Sequence, residues 1–179
     1  MHKDAEKILV SEEEIQDAVN KIANNINCDL GGEPLLVIII LKGSTPFAMD
    51  LIRKLNMPVE IDFMQVSSYG QSTSSSGFIN IKKDLEQDVT GKNILIVEDI
   101  IDSGNTLRKI KTLFESRNAK SVRICTMLDK PSRRVVDVKV DYVGKQIPDE
   151  FVIGYGLDYN EQYRNLPYIA VLKRSVYEK

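Results

Sequence analysis

The stretch from residue 94 to residue 106, Ile-Leu-Ile-Val-Glu-Asp-Ile-Ile-Asp-Ser-Gly-Asn-Thr, constrains the fold more than any other part of the chain. Its uninterrupted apolar start is typical of a strand that is covered on both faces of a parallel sheet. The small polar residues that follow, and the helical spacing of Leu107, Ile110 and Phe114 after them, predict a tight turn that opens a helix. Successive backbone N–H groups at such a turn converge on one point, so the segment predicts a phosphate-binding loop.

Three acidic residues, Glu98, Asp99 and Asp102, lie beside this predicted loop. Carboxylates next to an anion site repel the anion, so we expect a cation in the same site, either a divalent metal or a sugar that develops positive charge. The apolar pair Ile100-Ile101 between the acids indicates buried backbone, which favours acids that point into a cleft. The pattern therefore indicates a sugar-phosphate substrate whose phosphates bind metal. The chain contains neither GxxxxGK[ST] nor GxGxxG, so nucleoside-triphosphate hydrolysis and dinucleotide binding lose their usual support.

Buried strand patterns alternate with helical patterns along the chain. Helices are predicted after Ser11 and after Ser44, the second through about Leu55, and strands at 35–41, 59–66, 77–82, 93–99, 121–128, 141–143, 151–155 and 168–172. This order predicts a single α/β domain over residues 1–179, built on a mostly parallel twisted sheet that is flanked by helices. Because open α/β sheets bind ligands at the carboxyl ends of their strands, segments 42–44, 67–70, 98–106 and 129–130 are expected at one site.

Composition narrows the class of protein further. A length of 179 residues suffices for one domain with a substantial core, and a net charge of -2 gives no general electrostatic case for binding nucleic acid or membranes. Cys28 and Cys125 form no CxxC pair and are expected to be buried free thiols in a reducing compartment. With no signal peptide and no apolar run that could span a bilayer, we expect a cytoplasmic protein. The single histidine, His2, lies at an end that is expected to fray, so acid–base work falls to Asp, Glu, Lys or Tyr.

The segment from Glu98 to Thr106 closely resembles the phosphoribosyl-diphosphate signature of the type I phosphoribosyltransferases. The form Glu-Asp-Ile-Ile-Asp-Ser-Gly-Asn-Thr is similar to the 6-oxopurine branch of that family, since adenine and orotate enzymes generally lack the third acid found here at Asp102. The resemblance covers nearly the whole chain, from Ile8 to Tyr177. It implies the fold of that family, with a small hood formed by the terminal segments, and an assembly of two or four identical subunits.

The resemblance also implies a reaction and a set of roles. A phosphoribosyl group would pass from phosphoribosyl diphosphate to N9 of hypoxanthine or guanine, with Mg²⁺ as cofactor and with Asp102 as the general base at N7 of the purine. The implied ligands are Lys42, Gly43 and Arg164 for the diphosphate; Glu98, Asp99, Ser103, Gly104, Asn105 and Thr106 for the ribose and the 5′-phosphate; Lys130, Phe151, Val152 and Asp158 for the purine; and Glu98, Asp99 and Asp158 for the metal.

Within the implied purine site, an ammonium donor at Lys130 would select a 6-oxo group over the amino group of adenine. Either Arg133 or Arg134 is available to assist it, and the sequence leaves that choice open. Phe151 would stack on the base while the backbone of Val152 reads its Watson–Crick edge. The serine-rich segment 67–77 resembles the mobile lid of these enzymes, in which Ser68 and Tyr69 would close over the substrate and exclude water.

Two alternatives remain open at this point. One is a xanthine-preferring enzyme of the same family. The other is a pyrimidine-responsive regulator of the same fold that binds RNA, which should present clustered basic residues. The chain is net acidic, so we expect no nucleic-acid partner and no membrane partner.

Overall fold

The computed structural model describes residues 1–67 and 80–178. Along the chain its elements are β1 (Ala5–Val10), α1 (Glu12–Leu30), β2 (Leu35–Ile40), α2 (Thr45–Ile52), β3 (Val59–Ser67), β4 (Asn80–Lys83), β5 (Asn93–Ile101), α3 (Asn105–Ser116), β6 (Ser121–Asp129), a 3₁₀ turn (Pro131–Arg133), β7 (Tyr142–Gln146), β8 (Val152–Ile153), β9 (Ile169–Leu172) and α4 (Arg174–Tyr177).

The central sheet has the strand order β4-β3-β2-β5-β6-β7. All neighbouring strands run parallel except β4, which pairs antiparallel to β3 at the edge. Every residue of β2 is buried, as its unbroken apolar sequence requires. Alternate residues of β2 enter two cores, one shared with α1 and α2 and the other shared with α3. The predicted mostly parallel sheet with helices on both faces is therefore confirmed.

A second, smaller sheet is built from the two ends of the chain. It has the antiparallel order β1-β9-β8, and it buries a core of Ala5, Ile153, Ala170 and Leu172. This sheet is the predicted hood formed by the terminal segments. The expectation that His2 lies at a frayed end is wrong, because its backbone N–H donates to the Tyr168 hydroxyl at 2.7 Å.

Three local expectations are corrected by the structure. β5 continues to Ile101, two residues beyond the predicted end at Asp99, because its backbone stays paired with β6. α2 ends at Ile52, and the Ser44 hydroxyl donates to the Ile40 carbonyl instead of capping the helix. Cys28 is exposed rather than buried. Within the described ranges, no helix combines the length and the apolar character that crossing a membrane requires.

Candidate active site

A cleft of about 430 Å³ opens at the carboxyl ends of β2 and β5, where the topology of an open parallel sheet favours a ligand site. Residues distant in sequence meet in its lining. Of the residues proposed from sequence, the cleft brings together Lys42, Gly43, Glu98, Asp99, Asp102, Ser103, Gly104, Thr106, Asp158 and Arg164.

One end of the cleft is the turn that opens α3. Gly104 precedes the first residue of the helix with a φ of +83°, a conformation that glycine adopts without strain, and no side chain caps the helix. The first N–H groups of an uncapped helix bind anions well. Asn105 does not line the cleft, since its amide nitrogen lies 3.3 Å from the Ser103 hydroxyl, to which it donates.

The adjacent carboxylates of Glu98 and Asp99 form the floor of the cleft. Both side chains are partly buried. Burial, and after it the charge of Asp99, raises the pKa of Glu98 well above its ordinary value. Burial likewise raises the pKa of Asp99, against the lowering effect of its hydrogen bonds. A cationic ligand beside these two partly buried acids would stabilise them, because the cation lowers the free-energy cost of ionising both carboxyl groups.

We expect that replacing Glu98 with glutamine raises the melting temperature of the metal-free protein by about 2–4 °C at neutral pH, or ~1 kcal/mol for a chain of this size. The amide removes a partly buried charge and its repulsion with Asp99. Because folding raises the pKa of Glu98, the native state binds more protons than the unfolded state, and this carboxyl costs more stability as the pH rises above its unfolded pKa. The gain should therefore disappear in acid.

Scanning calorimetry at about pH 4, below the ordinary pKa of a glutamate, and at about pH 8 checks this expectation. Glu115→Gln, on the exposed part of α3, is the matched control and should leave the melting temperature unchanged at both pH values. A gain of equal size at both pH values, or no gain, would show that charge burial at Glu98 is not the cause.

The loop after β2 is packed tightly against the acids. A Cβ placed on Gly43 would lie 1.7 Å from Asp99 Oδ2, and one placed on Gly156 would lie 1.9 Å from the Gly43 carbonyl oxygen. Only glycines allow these backbones to approach so closely. The Leu41–Lys42 peptide that leads into this loop is cis.

The two cations proposed for the diphosphate are already paired. Arg164 donates from Nη1 to the Gly156 carbonyl at 2.8 Å, and its Nη2 lies 2.9 Å from Asp158 Oδ1. Lys42 Nζ lies 2.9 Å from Glu161 Oε2. Sequence reasoning missed Glu161, although its place three residues before Arg164 could have suggested an ion pair. Asp158 and Glu161 thus hold Arg164 and Lys42 in ion pairs near the cleft.

The proposed purine lysine lies next to the proposed base. Lys130 is only 8% exposed, and its Nζ lies 3.8 Å from Asp102 Oδ1. Arg134 pairs with the Asp129 carboxylate and donates to the Asp102 carbonyl at 3.1 Å, so it ties the loop after β6 to the end of β5. Arg133 is the arginine that shares a partner with Lys130, through Asp149.

Phe151 does not line the cleft, but its aromatic ring contacts Tyr159, the residue that follows the cleft residue Asp158. Its ring stacks on Tyr177 with centroids 5.0 Å apart and meets the edge of Tyr159, the residue after Asp158, at 5.7 Å. The residue stays 39% exposed, which leaves ring surface for a flat ligand. Val152 is buried in β8. The predicted lid residues Ser68 and Tyr69 lie outside the described residues.

A magnesium ion suits this donor set without a dedicated cage. In residues 1–67 and 80–178, no three acidic, histidine or cysteine side chains converge as a ready-made metal site. Mg²⁺ usually keeps several waters and binds through one or two carboxylates plus substrate phosphates. Asp99 and Asp158 both line the cleft and repel one another, as expected of oxygen donors to a shared cation.

One cleft is lined by an uncapped helix N-terminus, by the paired acids of β5 and by the cations Lys42 and Arg164, a combination that suits a phosphorylated sugar. Residues 7–160 match the family described as the phosphoribosyl transferase domain. The chain belongs to the phosphoribosyltransferase family.

Its relatives are more particular. The chain is 54% identical over 178 residues to the hypoxanthine-guanine phosphoribosyltransferase of Bacillus subtilis, and the match covers 99% of each protein. It is similar to the solved hypoxanthine phosphoribosyltransferase of Staphylococcus aureus, with 49% identity, a TM-score of 0.95 and coverage of 100% of this chain and 97% of that one. The Trypanosoma cruzi hypoxanthine phosphoribosyl transferase, solved for the role of its C-terminal region in oligomeric state and activity, has 41% identity, a TM-score of 0.94 and coverage of 99% and 96%.

Proposed function

We propose that this protein is a purine-salvage enzyme. It transfers the phosphoribosyl group of 5-phosphoribosyl 1-diphosphate to N9 of hypoxanthine or guanine, and it releases diphosphate and inosine or guanosine monophosphate. The observation that carries the proposal is the pairing of Lys130 Nζ with the Asp102 carboxylate, 3.8 Å apart, beside a cleft with an uncapped helix N-terminus. A cation and an acid in this arrangement match the O6 acceptor and the N7 proton of a 6-oxopurine. The similarity to enzymes named for these bases supports the same reading.

The phosphoribosyl end of the substrate binds at the turn before α3. Backbone N–H groups of Ser103, Gly104, Asn105 and Thr106 hold the 5′-phosphate. Glu98 and Asp99 accept hydrogen bonds from the ribose hydroxyls. As the C1′–O bond breaks, their negative charge stabilises the positive charge that develops on the ribose, and such fixed charges are worth most in a site that excludes water.

The base binds between Lys130 and the hood. Lys130 donates to O6, and Asp102 accepts the proton from N7 as N9 forms its bond to C1′. Phe151 stacks on the ring and the Val152 backbone meets its Watson–Crick edge. Adenine presents a donor where Lys130 also donates, so it leaves the buried ammonium without an acceptor and is rejected.

The diphosphate leaves beside Lys42, Gly43 and Arg164, which line the cleft. Arg164 and Lys42 exchange their carboxylate partners Asp158 and Glu161 for diphosphate oxygens, and Gly43 lets the backbone approach them. Glu98, Asp99 and Asp158 would hold magnesium. When bound, Mg²⁺ supplies positive charge that stabilises the departing diphosphate.

We expect one diphosphate to form for each inosine monophosphate when the protein is given phosphoribosyl diphosphate, hypoxanthine and magnesium. Nucleotide is followed by chromatography, and diphosphate by a coupled phosphate assay. Chelation of magnesium should stop the formation of nucleotide and diphosphate, because without the metal the paired acids repel the substrate. Added magnesium should restore the formation of both products. Diphosphate without nucleotide would instead indicate a hydrolase.

We also propose that the protein works in the cytoplasm as a homo-oligomer of two or four subunits. Free cysteines suit a reducing compartment, and the work on the Trypanosoma cruzi relative concerned its oligomeric state. Light scattering of the full chain checks the assembly, against a subunit mass of 20.2 kDa.

A further inference from the structure

We propose that Asp149 determines the charge selectivity of the base site. Its carboxylate holds the Lys130 ammonium from one side, and its negative charge disfavours bases that bind as anions. This inference rests on the proposed function and extends it to a residue for which neither the sequence pattern nor the resemblance gave a role.

The geometry places the Lys130 ammonium between two carboxylates. Its Nζ lies 3.7 Å from Asp149 Oδ1 and 3.8 Å from Asp102 Oδ1. Both distances exceed a hydrogen bond, so the ammonium is held electrostatically from two sides while its N–H groups stay available. Arg133 Nη1 lies 3.6 Å from the other oxygen of Asp149 and fixes that carboxylate in turn.

The charges around Lys130 come from three elements. Asp102 follows β5, Asp149 precedes β8, and Arg133 belongs to the turn after β6, where the neighbouring Arg134 is already neutralised by Asp129. The remaining nearby pair, Lys7 with Glu150, is also self-neutralising. Two carboxylates therefore flank one buried lysine, whereas Arg133 is directed outward with 59% of its side chain exposed.

Because two carboxylates flank Lys130, neutral and anionic bases should bind with different affinity. Hypoxanthine and guanine offer a neutral O6 acceptor, so binding adds no charge beside Asp149. Xanthine has a second carbonyl that stabilises its anion, so it loses a proton more readily than the other two bases. An anionic base brings a negative charge within a few ångströms of two carboxylates, and repulsion of this kind at a partly exposed site is worth about tenfold in affinity per carboxylate.

The test compares Asp149→Asn with the wild type, using kcat/KM for hypoxanthine, guanine and xanthine over a pH range that spans the ionisation of xanthine. The amide keeps the shape and removes the charge. We expect the ratio of xanthine to hypoxanthine to rise about tenfold on the alkaline side and to change little on the acid side. The ratio of guanine to hypoxanthine should stay constant throughout.

Two further variants sharpen the result. Asp137→Asn makes the same chemical change at an exposed residue of the loop between β6 and β7, for which the described residues offer no ion-pair partner, and it should leave all three ratios unchanged. Asp149→Glu retains the charge and should keep the wild-type preference. If the asparagine variant fails to fold, Asp149→Ser removes the charge in its place and should give the same rise in the xanthine ratio.

An unchanged xanthine ratio, or a rise of equal size at every pH, would overturn the role of Asp149. Calorimetry of base binding with phosphoribosyl diphosphate but without magnesium, where no turnover is expected, measures the same ratio from binding alone. A wild-type protein that makes no nucleotide from hypoxanthine would therefore contradict the proposed function, and the binding ratio would still decide whether Asp149 repels an anionic base.

Discussion

Replacing Asp102 with alanine is expected to lower kcat for hypoxanthine by about 10²–10⁴-fold, the usual contribution of a single general base, while the fold is retained. The side chain is half exposed, and Arg134 holds the backbone carbonyl of Asp102, which the substitution preserves. Nothing buried is therefore left without a partner. The effect should fall on kcat rather than on KM for phosphoribosyl diphosphate, because the carboxylate acts on the proton of the base.

Steady-state kinetics and a melting curve check the effect of Asp102→Ala. Asp102→Asn should lose a similar factor, since an amide keeps the shape without the basicity. Asp137→Ala, on the exposed loop beyond β6, should lose nothing. Near-wild-type turnover of Asp102→Ala would assign the base to another group.

Gly43→Ala is the second change with a large expected effect. We expect kcat/KM for phosphoribosyl diphosphate to fall by about 100-fold, the scale associated with a displacement of about 1 Å in a catalytic site. The added Cβ would lie 1.7 Å from Asp99 Oδ2, so the carboxylate must move away from the cleft floor. Because the clashing atom is the end of a movable side chain, the melting temperature should fall only slightly.

Gly91→Ala gives the opposite pattern and is the matched control for Gly43→Ala. Gly91 has a φ of +70° and open space around it, so alanine there is strained without touching the site. It should cost about 1 kcal/mol of stability and no activity. If Gly43→Ala instead behaved like Gly91→Ala, the close packing of the β2 loop against Asp99 would not matter to the reaction.

The parts of this protein that sequence predicts well are those whose causes are local. The strand, turn and helix of residues 94–116 are contiguous, and the strictly apolar β2 could only be buried on both faces. Because open α/β sheets bind ligands at the carboxyl ends of their strands, most of the proposed ligand-binding residues were correctly expected in one cleft. The resemblance supplied their roles, which remain predictions, as does the lid at Ser68 and Tyr69.

The parts that sequence missed depend on contacts between distant segments. Glu161 holds Lys42 from 119 positions away, and the order of His2 depends on Tyr168 at the other end of the chain. In the sequence Asp149 has no feature that distinguishes it from an ordinary surface acid, and only the fold places it next to Lys130. The extension of β5 beyond Asp99 also has a tertiary cause, because β6 supplies backbone partners through Asp129.

The most direct test of the proposed function is to measure nucleotide formation from phosphoribosyl diphosphate and magnesium with hypoxanthine, guanine, xanthine and adenine in parallel. The proposal predicts turnover of hypoxanthine and guanine, much less of xanthine, and none of adenine. Efficient use of adenine would contradict the pairing of Lys130 and Asp102 as the reader of a 6-oxopurine. Folded protein that uses none of the four bases would contradict the catalytic account as a whole.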